Sequence, residues 1–213
     1  VTLTICAGLP IAADFDGDGL ADPAMINGAG NWYIWLSSLG YPRVGALPFS
    51  AAGATPLAAD FDGDRKADAV SVDACGNWTI RLSSLSYMPL DPVRFSDAGA
   101  TPLAADFDGD RLADPAAMDS AGKWTICLSS AGYKPLGPFP MRPGGGTPVA
   151  ADFDGDHLAD PAAVNESGQW IIRLSSAGYA QIGPRPITVA NRMAVAADFD
   201  GDGLADPAMI NGA

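Results

Sequence analysis

The sequence predicts an all-β chain, a β-propeller of 46-residue blades with four strands each. Three observations carry that expectation. The string Asp-Phe-Asp-Gly-Asp-x-x-Ala-Asp begins at Asp14, Asp60, Asp106, Asp152 and Asp198, always 46 residues on and without an insertion. Trp32, Trp78, Trp124 and Trp170 keep the same step, and so does Leu-Ser-Ser-x-x-Tyr at Leu36–Tyr41, Leu82–Tyr87, Leu128–Tyr133 and Leu174–Tyr179. Prolines at 23, 42, 48, 56, 89, 92 and 102 leave no room for helices of ordinary length.

Within one unit the strands follow in order. A short run such as Pro102–Asp106 leads into the acidic loop, and Pro115–Met118 leaves it. A turn rich in Gly, Asn and Asp comes next. Then Trp124–Ser129 alternates, with Trp124, Ile126 and Leu128 on one face and Thr125, Cys127 and Ser129 on the other; Trp78, Ile80 and Leu82 repeat the pattern. A weaker fourth strand falls around Val93–Ser96, before the linker Ala98–Pro102. The pairs Ala58-Ala59, Ala104-Ala105, Ala150-Ala151 and Ala196-Ala197 put small side chains on the first strand, as a crowded propeller axis requires. A β-solenoid has shorter coils and fits less well.

Five full units would need 230 residues, 17 more than the 213 present, and the missing piece corresponds to residues 30–46. The expectation is therefore one domain over 1–213, with four complete blades and an incomplete composite fifth. The fifth takes its first two strands from the C-terminal part and its outermost from Val1–Ile5. Such a gap leaves a strand edge open to self-association. A start at Val1 without a signal peptide reads as a processed product or a fragment.

In Asp14-Phe-Asp-Gly-Asp-Gly-Leu-Ala-Asp22, carboxylates stand at loop positions 1, 3, 5 and 9, and position 7 offers a carbonyl. An all-oxygen shell of this kind suits Ca²⁺, which takes 6 to 8 oxygens at about 2.3–2.6 Å; no His/Cys cluster points to zinc. The loop follows the start of an EF-hand but has Met25 where that motif has Glu. Loop carboxylates make up 20 of the 25 acidic residues, so Asx-turns on a solvated edge alone would leave strongly self-repelling clusters. Five Ca²⁺ would bring the net charge from -13 to -3.

Asp-x-Asp-Gly-Asp-x-x-x-Asp inside a β-repeat resembles the FG-GAP/VCBS repeats of integrin α-subunit propellers and of a fungal propeller lectin. The resemblance implies a calcium loop between the first two strands of each blade. Its ligands would be Asp14, Asp16, Asp18, Leu20 (carbonyl) and Asp22, then Asp60, Asp62, Asp64, Lys66 (carbonyl) and Asp68. They continue as Asp106, Asp108, Asp110, Leu112 (carbonyl) and Asp114, as Asp152, Asp154, Asp156, Leu158 (carbonyl) and Asp160, and as Asp198, Asp200, Asp202, Leu204 (carbonyl) and Asp206. Position 6 is Gly19 and Gly203 in the outer copies but Arg65, Arg111 and His157 in the inner three. Where that position needs positive φ, a side chain costs about 1 kcal/mol, which predicts weaker inner sites.

The four spaced Trp are expected in the core between blades, a sugar-stacking platform being the lesser alternative for one of them. Trp35 lies on the other face, where later copies have Arg81, Cys127 and Arg173. The repeated Tyr41, Tyr87, Tyr133 and Tyr179 close a turn. His157 is the lone histidine and Glu166 the lone glutamate, and the Ser-Ser pairs have no base beside them, so no catalytic site is expected. A carboxylate pair for glycoside hydrolysis would have to come from Asp73, Asp91, Asp97, Asp119 or the loops. Cys75 and Cys127 stand at different strand positions, which implies no disulfide.

A pI near 4.1 argues against nucleic acid, and no apolar run approaches the length of a membrane span. The expected protein is a non-enzymatic, calcium-binding, extracellular or cell-surface module for recognition or adhesion. Its partners would be glycans, in a lectin-like version, or a cell-surface protein. A structural spacer, or an accessory domain of a secreted enzyme, is the alternative.

Overall fold

The structure is a computed structural model that describes residues 8–141, 146–165, 167–186 and 192–211. All regular structure there is strand, apart from two one-turn 3-10 helices at Ser37–Leu39 and Ser83–Leu85. Repeat 1 has β1 (Gly8–Ala13), β2 (Asp22–Asn27), β3 (Trp32–Trp35) and β4 (Arg43–Leu47). Repeat 2 has β5 (Thr55–Ala59), β6 (Asp68–Val72), β7 (Asn77–Arg81) and β8 (Val93–Arg94). Repeat 3 has β9 (Thr101–Ala105), β10 (Asp114–Met118), β11 (Lys123–Leu128) and β12 (Lys134–Pro140). Repeat 4 has β13 (Thr147–Ala151), β14 (Asp160–Val164), β15 (Gln169–Leu174) and β16 (Ala180–Pro186), and repeat 5 has β17 (Arg192–Ala197) and β18 (Asp206–Asn211). Each of the first four is an antiparallel sheet with its strands in sequence order, and the fifth is a two-stranded sheet. The expected outermost strand Val1–Ile5 lies outside the described residues.

The chain divides into two compact units, Val1–Ala98 with repeats 1 and 2 and Gly99–Ala213 with repeats 3, 4 and 5. In the first unit β1 runs beside β5; in the second, β9 and β17 both lie beside β13. The alanine-bearing first strands are thus the ones that approach each other, as their small side chains permit. The alternation read in the Trp strand also holds. Trp32, Ile34, Phe15 and Ile26 form one cluster with Ala67 and Ala69 of the next repeat. Trp124, Ile126 and Phe107 pack with Ala159, Ala163 and Ile171, and Trp170 and Val164 pack with Ala194, Ala196 and Met209. The four Trp are no more than 1% exposed, and Trp32, Trp124 and Trp170 pin their repeats to the next one within each unit.

Proline sets the length of one ladder. In repeats 1, 3 and 4, Pro23, Pro115 and Pro161 follow the buried Asp, and pairing to the third strand starts one residue later, at Ala24↔Ile34, Ala116↔Ile126 and Ala162↔Ile172. Repeat 2 has Ala69 there, and the ladder gains the pair Ala69↔Arg81. A residue without an N–H cannot extend a central ladder, while alanine can.

Candidate functional site

Each acidic loop connects the first strand of a repeat to its second, and its backbone winds around its first carboxylate. Asp14 Oδ1 accepts from Gly17 N at 2.6 Å and Oδ2 from Gly19 N at 2.8 Å. The same two bonds recur at Asp60, Asp106, Asp152 and Asp198. Bringing both N–H groups onto one carboxylate needs left-handed backbone at loop positions 4 and 6. Position 4 is always glycine, with φ of 82–83°. Position 6 has φ of 85° and 88° at Gly19 and Gly203, and 68°, 71° and 67° at Arg65, Arg111 and His157. The expected backbone strain at the three inner copies is therefore present, about 1 kcal/mol or more each.

Asp16 and Asp18 accept from N–H groups two residues on, which are Asx-type turns. The ninth-position carboxylates do something else. Asp22, Asp68, Asp114 and Asp160 are fully buried. In each, Oδ2 accepts the N–H of the loop's Phe at 2.7–2.9 Å, and Oδ1 accepts the N–H of the first serine of Leu-Ser-Ser at 2.6–2.7 Å. That serine's hydroxyl donates to position 5, as in Ser129 to Asp110 at 2.7 Å, and the second serine's hydroxyl donates to position 3, as in Ser130 to Asp108 at 2.6 Å. The pattern is identical in repeats 1, 2 and 4.

The Ser-Ser pairs, without a role in the sequence reading beyond lacking a base, are thus the lid of the acidic loop. The signal that could have found them is their strict 46-residue register with the Asp string. Adjacent loops are also tied together, because the N–H of Ala67, Ala159 and Ala205 donates to the carbonyl of Asp14, Asp106 and Asp152 at 2.6, 2.8 and 2.7 Å.

Burial pushes the Asp68 carboxyl up to about 6, against the two N–H bonds that pull it down, and raises Asp114 and Asp160 for the same reason. A buried carboxylate crowded by neighbouring carboxylates is a group that a cation would relieve. Three carboxylate oxygens lie within 4.8 Å of one another at Asp14/Asp16/Asp18, Asp60/Asp62/Asp68, Asp106/Asp108/Asp114, Asp152/Asp154/Asp160 and Asp198/Asp200/Asp206. Oxygens sharing one Ca²⁺ at about 2.3–2.6 Å can be no more than about 5 Å apart, so these sets fit the ion. The structure brings positions 1, 3 and 9 together in four loops and 1, 3 and 5 in the first. The position 7 residues Leu20, Lys66, Leu112, Leu158 and Leu204 each donate their N–H to the position 5 carboxylate.

The other singled-out residues are placed plainly. The four Trp are too buried to stack on a sugar. Trp35 is half-buried. Tyr41, Tyr87, Tyr133 and Tyr179 all have φ of 60–64° and donate their N–H to the motif's leucine carbonyl at 2.7–2.9 Å, so they close the turn as expected. Tyr87 and Tyr179 also stack on Phe49 and Phe139. Arg81 and Arg173 reach back to the carbonyls of Phe49 and Pro140, binding the linker that precedes their repeat. His157 has an exposed ring 3.8 Å from Asp152. Asp73 and Asp119 close turns, Cys75 is exposed while Cys127 is buried, and Glu166 lies outside the described residues. A cleft of about 300 Å³ in the first unit is lined by Phe49, Ser71, Asp73, Asn77, Thr79 and Arg81, among others. No helix among the described residues is long and apolar enough to cross a membrane.

Residues 12–71 match the family model of the FG-GAP-like repeat. No curated protein matches the chain in sequence. Among solved structures, the chain is similar to an Agrocybe aegerita lectin with specific recognition of non-reducing terminal N-acetylglucosamine: TM-score 0.64 and 16% identity, over 93% of this chain and 60% of the lectin. It is similar to the BP39L lectin from Burkholderia pseudomallei at TM-score 0.61 and 17% identity, over 96% of this chain and 64% of that one. A chain of the structure of BBS1N in complex with ARL6DN is similar at TM-score 0.55 and 11% identity, over 79% of this chain and 54% of that one. This chain therefore spans less than two thirds of each of these structures. At such identities the likeness is one of fold. That fold is the β-propeller of four-stranded blades predicted by the 46-residue period.

Proposed function

We propose, from the FG-GAP-like repeat matched at residues 12–71 and from repeats folded as propeller blades, that this protein is a calcium-stabilised carbohydrate-recognition module without catalytic activity, working outside the cell or at its surface. Residues 1–213 are read as parts of one such domain. The observation that carries the reading is the recurrence, in all five repeats, of three carboxylate oxygens within 4.8 Å of one another. Held by the Asp residues of each loop, Ca²⁺ would supply the positive charge that the clusters lack and fasten the first two strands of a repeat to each other. Free Ca²⁺ outside cells, near the millimolar range, fills such sites even at modest affinity.

The recognition half of the reading draws on the fold shared with two lectins. The cleft beside Phe49 adds to it, offering Ser71, Asp73, Asn77, Thr79 and Arg81 as polar groups next to the apolar Pro48 and Ala54, a mix that suits a sugar. Repetition of similar surfaces would give avidity from weak single contacts. A glycan array probed in calcium and again in EDTA tests both halves. Binding to a defined set of glycans in calcium, lost in EDTA, is expected. No glycan bound in either condition would overturn the lectin reading. A spacer would then remain, a role that fits copies as alike as Leu20–Ala29 and Leu204–Ala213, which are identical in sequence.

A further inference from the structure

Neighbouring acidic loops are physically joined. In the first unit these are loop 1 (14–22) and loop 2 (60–68). The N–H of Ala67, just before the buried Asp68, donates to the carbonyl of Asp14 at 2.6 Å. The other end of that same peptide, the N–H of Phe15, donates to Asp22 Oδ2 at 2.8 Å. One peptide unit thus carries a hydrogen-bond chain from loop 2 to the buried carboxylate of loop 1, and each bond in such a chain polarises the next. The second unit repeats it between loops 3 (106–114) and 4 (152–160), with Ala159 to Asp106 and Phe107 to Asp114, both at 2.8 Å. The position 7 side chain adds contact: a Cβ on Gly17 would stand 3.1 Å from the Lys66 side chain, and one on Gly109 2.8 Å from Leu158.

Tyr87 stands at this junction. Its hydroxyl lies 3.2 Å from the carbonyl oxygen of Ala67 in loop 2 and 3.4 Å from that of Phe15 in loop 1. A single hydroxyl proton is thus shared between the two loops. The ring is stacked on Phe49 with centres 5.2 Å apart, which holds the hydroxyl in place. Burial raises the pKa of Tyr87, and so do the carboxylates of Asp68 and Asp64 from loop 2 and of Asp22 and Asp16 from loop 1. Tyr179 is the counterpart in the second unit. It stacks on Phe139 with centres 4.5 Å apart, and burial followed by Asp114, Asp160, Asp156 and Asp108, two from each loop, raises its pKa.

We propose that Tyr87 and Tyr179 are positioning residues that couple neighbouring ion sites, loop 1 with loop 2 and loop 3 with loop 4, so that calcium in one raises the affinity of the other. The inference rests on the calcium reading above. With Asp60, Asp62 and Asp68 held by an ion, Ala67 beside Asp68 is fixed as well. Ala67 and Tyr87 in turn hold the peptide between Asp14 and Phe15, whose N–H orients Asp22 and whose Asp14 side chain belongs to the loop 1 cluster. Order gained in loop 2 need not be gained again in loop 1, which is positive coupling. Repulsion between two bound ions acts the other way, but it is screened over about 8 Å at physiological salt.

The test is an NMR titration of the whole protein with Ca²⁺ in about 0.15 M salt. It follows the amides of Gly17 and Gly63, which donate to the first carboxylates of loops 1 and 2. Asp62→Asn takes a charge from loop 2, where that carboxylate bonds Asp64 and Ser84 within its own repeat. It is expected to weaken calcium at loop 1 about fivefold, and about twofold or less once Tyr87→Phe is also present. Tyr87→Phe keeps the ring on Phe49 and removes only the hydroxyl, and the spectra themselves show that each variant is folded. Calcium shifts at both glycines, with loop 1 indifferent to Asp62→Asn or tightened by it, would overturn the coupling and leave the calcium reading standing. A full loss that persists in Tyr87→Phe would take the role from the hydroxyl and overturn the proposal equally. No calcium shift at either glycine would overturn the calcium reading, and the coupling with it.

Discussion

Repeats 1 and 5 are identical in sequence over Ala12–Asn27 and Ala196–Asn211, yet bury that sequence differently. In repeat 1, Asp22 is fully buried and Ile26 is 4% exposed; in repeat 5, Asp206 is half-buried and Ile210 is 53% exposed. Both loops still wind around their first carboxylate with the same two N–H bonds. Loop shape is therefore local, written in the Asp and Gly positions. Burial and the serine lid come with the third strand, which is present in repeat 1 and is not among the described residues of repeat 5.

That contrast can be broken most forcefully through the aromatic pair. Phe107 meets Trp124 edge to face with ring centres 6.2 Å apart and is 1% exposed. Phe107→Ala should cost about 3–5 kcal/mol in denaturant melts. Phe199→Ala, at the same place in repeat 5, should stay within about 0.5 kcal/mol. Equal losses would mean that Phe199 is covered after all. A smaller effect is expected at the ninth-position carboxylate, measured in EDTA so that any ion is absent from both variants. Asp114→Ala strips the N–H groups of Phe107 and Ser129 of their acceptor and should cost about 1–3 kcal/mol, whereas Asp206→Ala should cost a fraction of that.

The smallest effect is a pH slope. Burial raises Asp68 from 3.8 to about 6, so without an ion the folded chain holds that proton more tightly than the unfolded one. This contribution is present below about pH 4 and lost as pH rises through about 6. Mild acidification from pH 7 to 5 in EDTA should therefore raise the melting temperature, and Asp68→Asn should flatten the rise. In calcium the sign reverses, because protonation competes with the ion. A melting temperature that falls on acidification in EDTA would contradict this assignment.

Much of this molecule was legible in its sequence. The unbroken 46-residue step gave strand order and loop position, and the period-2 pattern placed Trp78, Ile80, Trp124 and Ile126 on one face, where all four are buried. The need for positive φ at Arg65, Arg111 and His157 was readable from glycine at Gly19 and Gly203. The serine lid was not, because Ser37 and Asp22 are 15 residues apart and meet only when β3 returns beside β2. Nor was the double role of Asp22, Asp68, Asp114 and Asp160. The motif presents them as ligands like any other, while the fold buries them and spends both oxygens on backbone N–H groups. The sequence also ranks the outer loops together as the unstrained pair, yet repeat 5 lacks described serine partners that repeat 1 has, and the two need not bind an ion alike.

Calcium in the acidic loops is the central claim to measure. A loop with a dissociation constant near 10 μM, facing about 1 mM Ca²⁺, gains about 2.7 kcal/mol from occupancy. Calorimetric titration of the EDTA-stripped, dialysed protein with Ca²⁺, paired with thermal melts before and after, measures this directly. Uptake of several ions per chain, up to five, is expected, with the first loop binding more tightly than those with Arg65, Arg111 and His157, and with a melting temperature markedly higher in calcium. No heat of calcium uptake, with a melt that EDTA leaves unchanged, would contradict it.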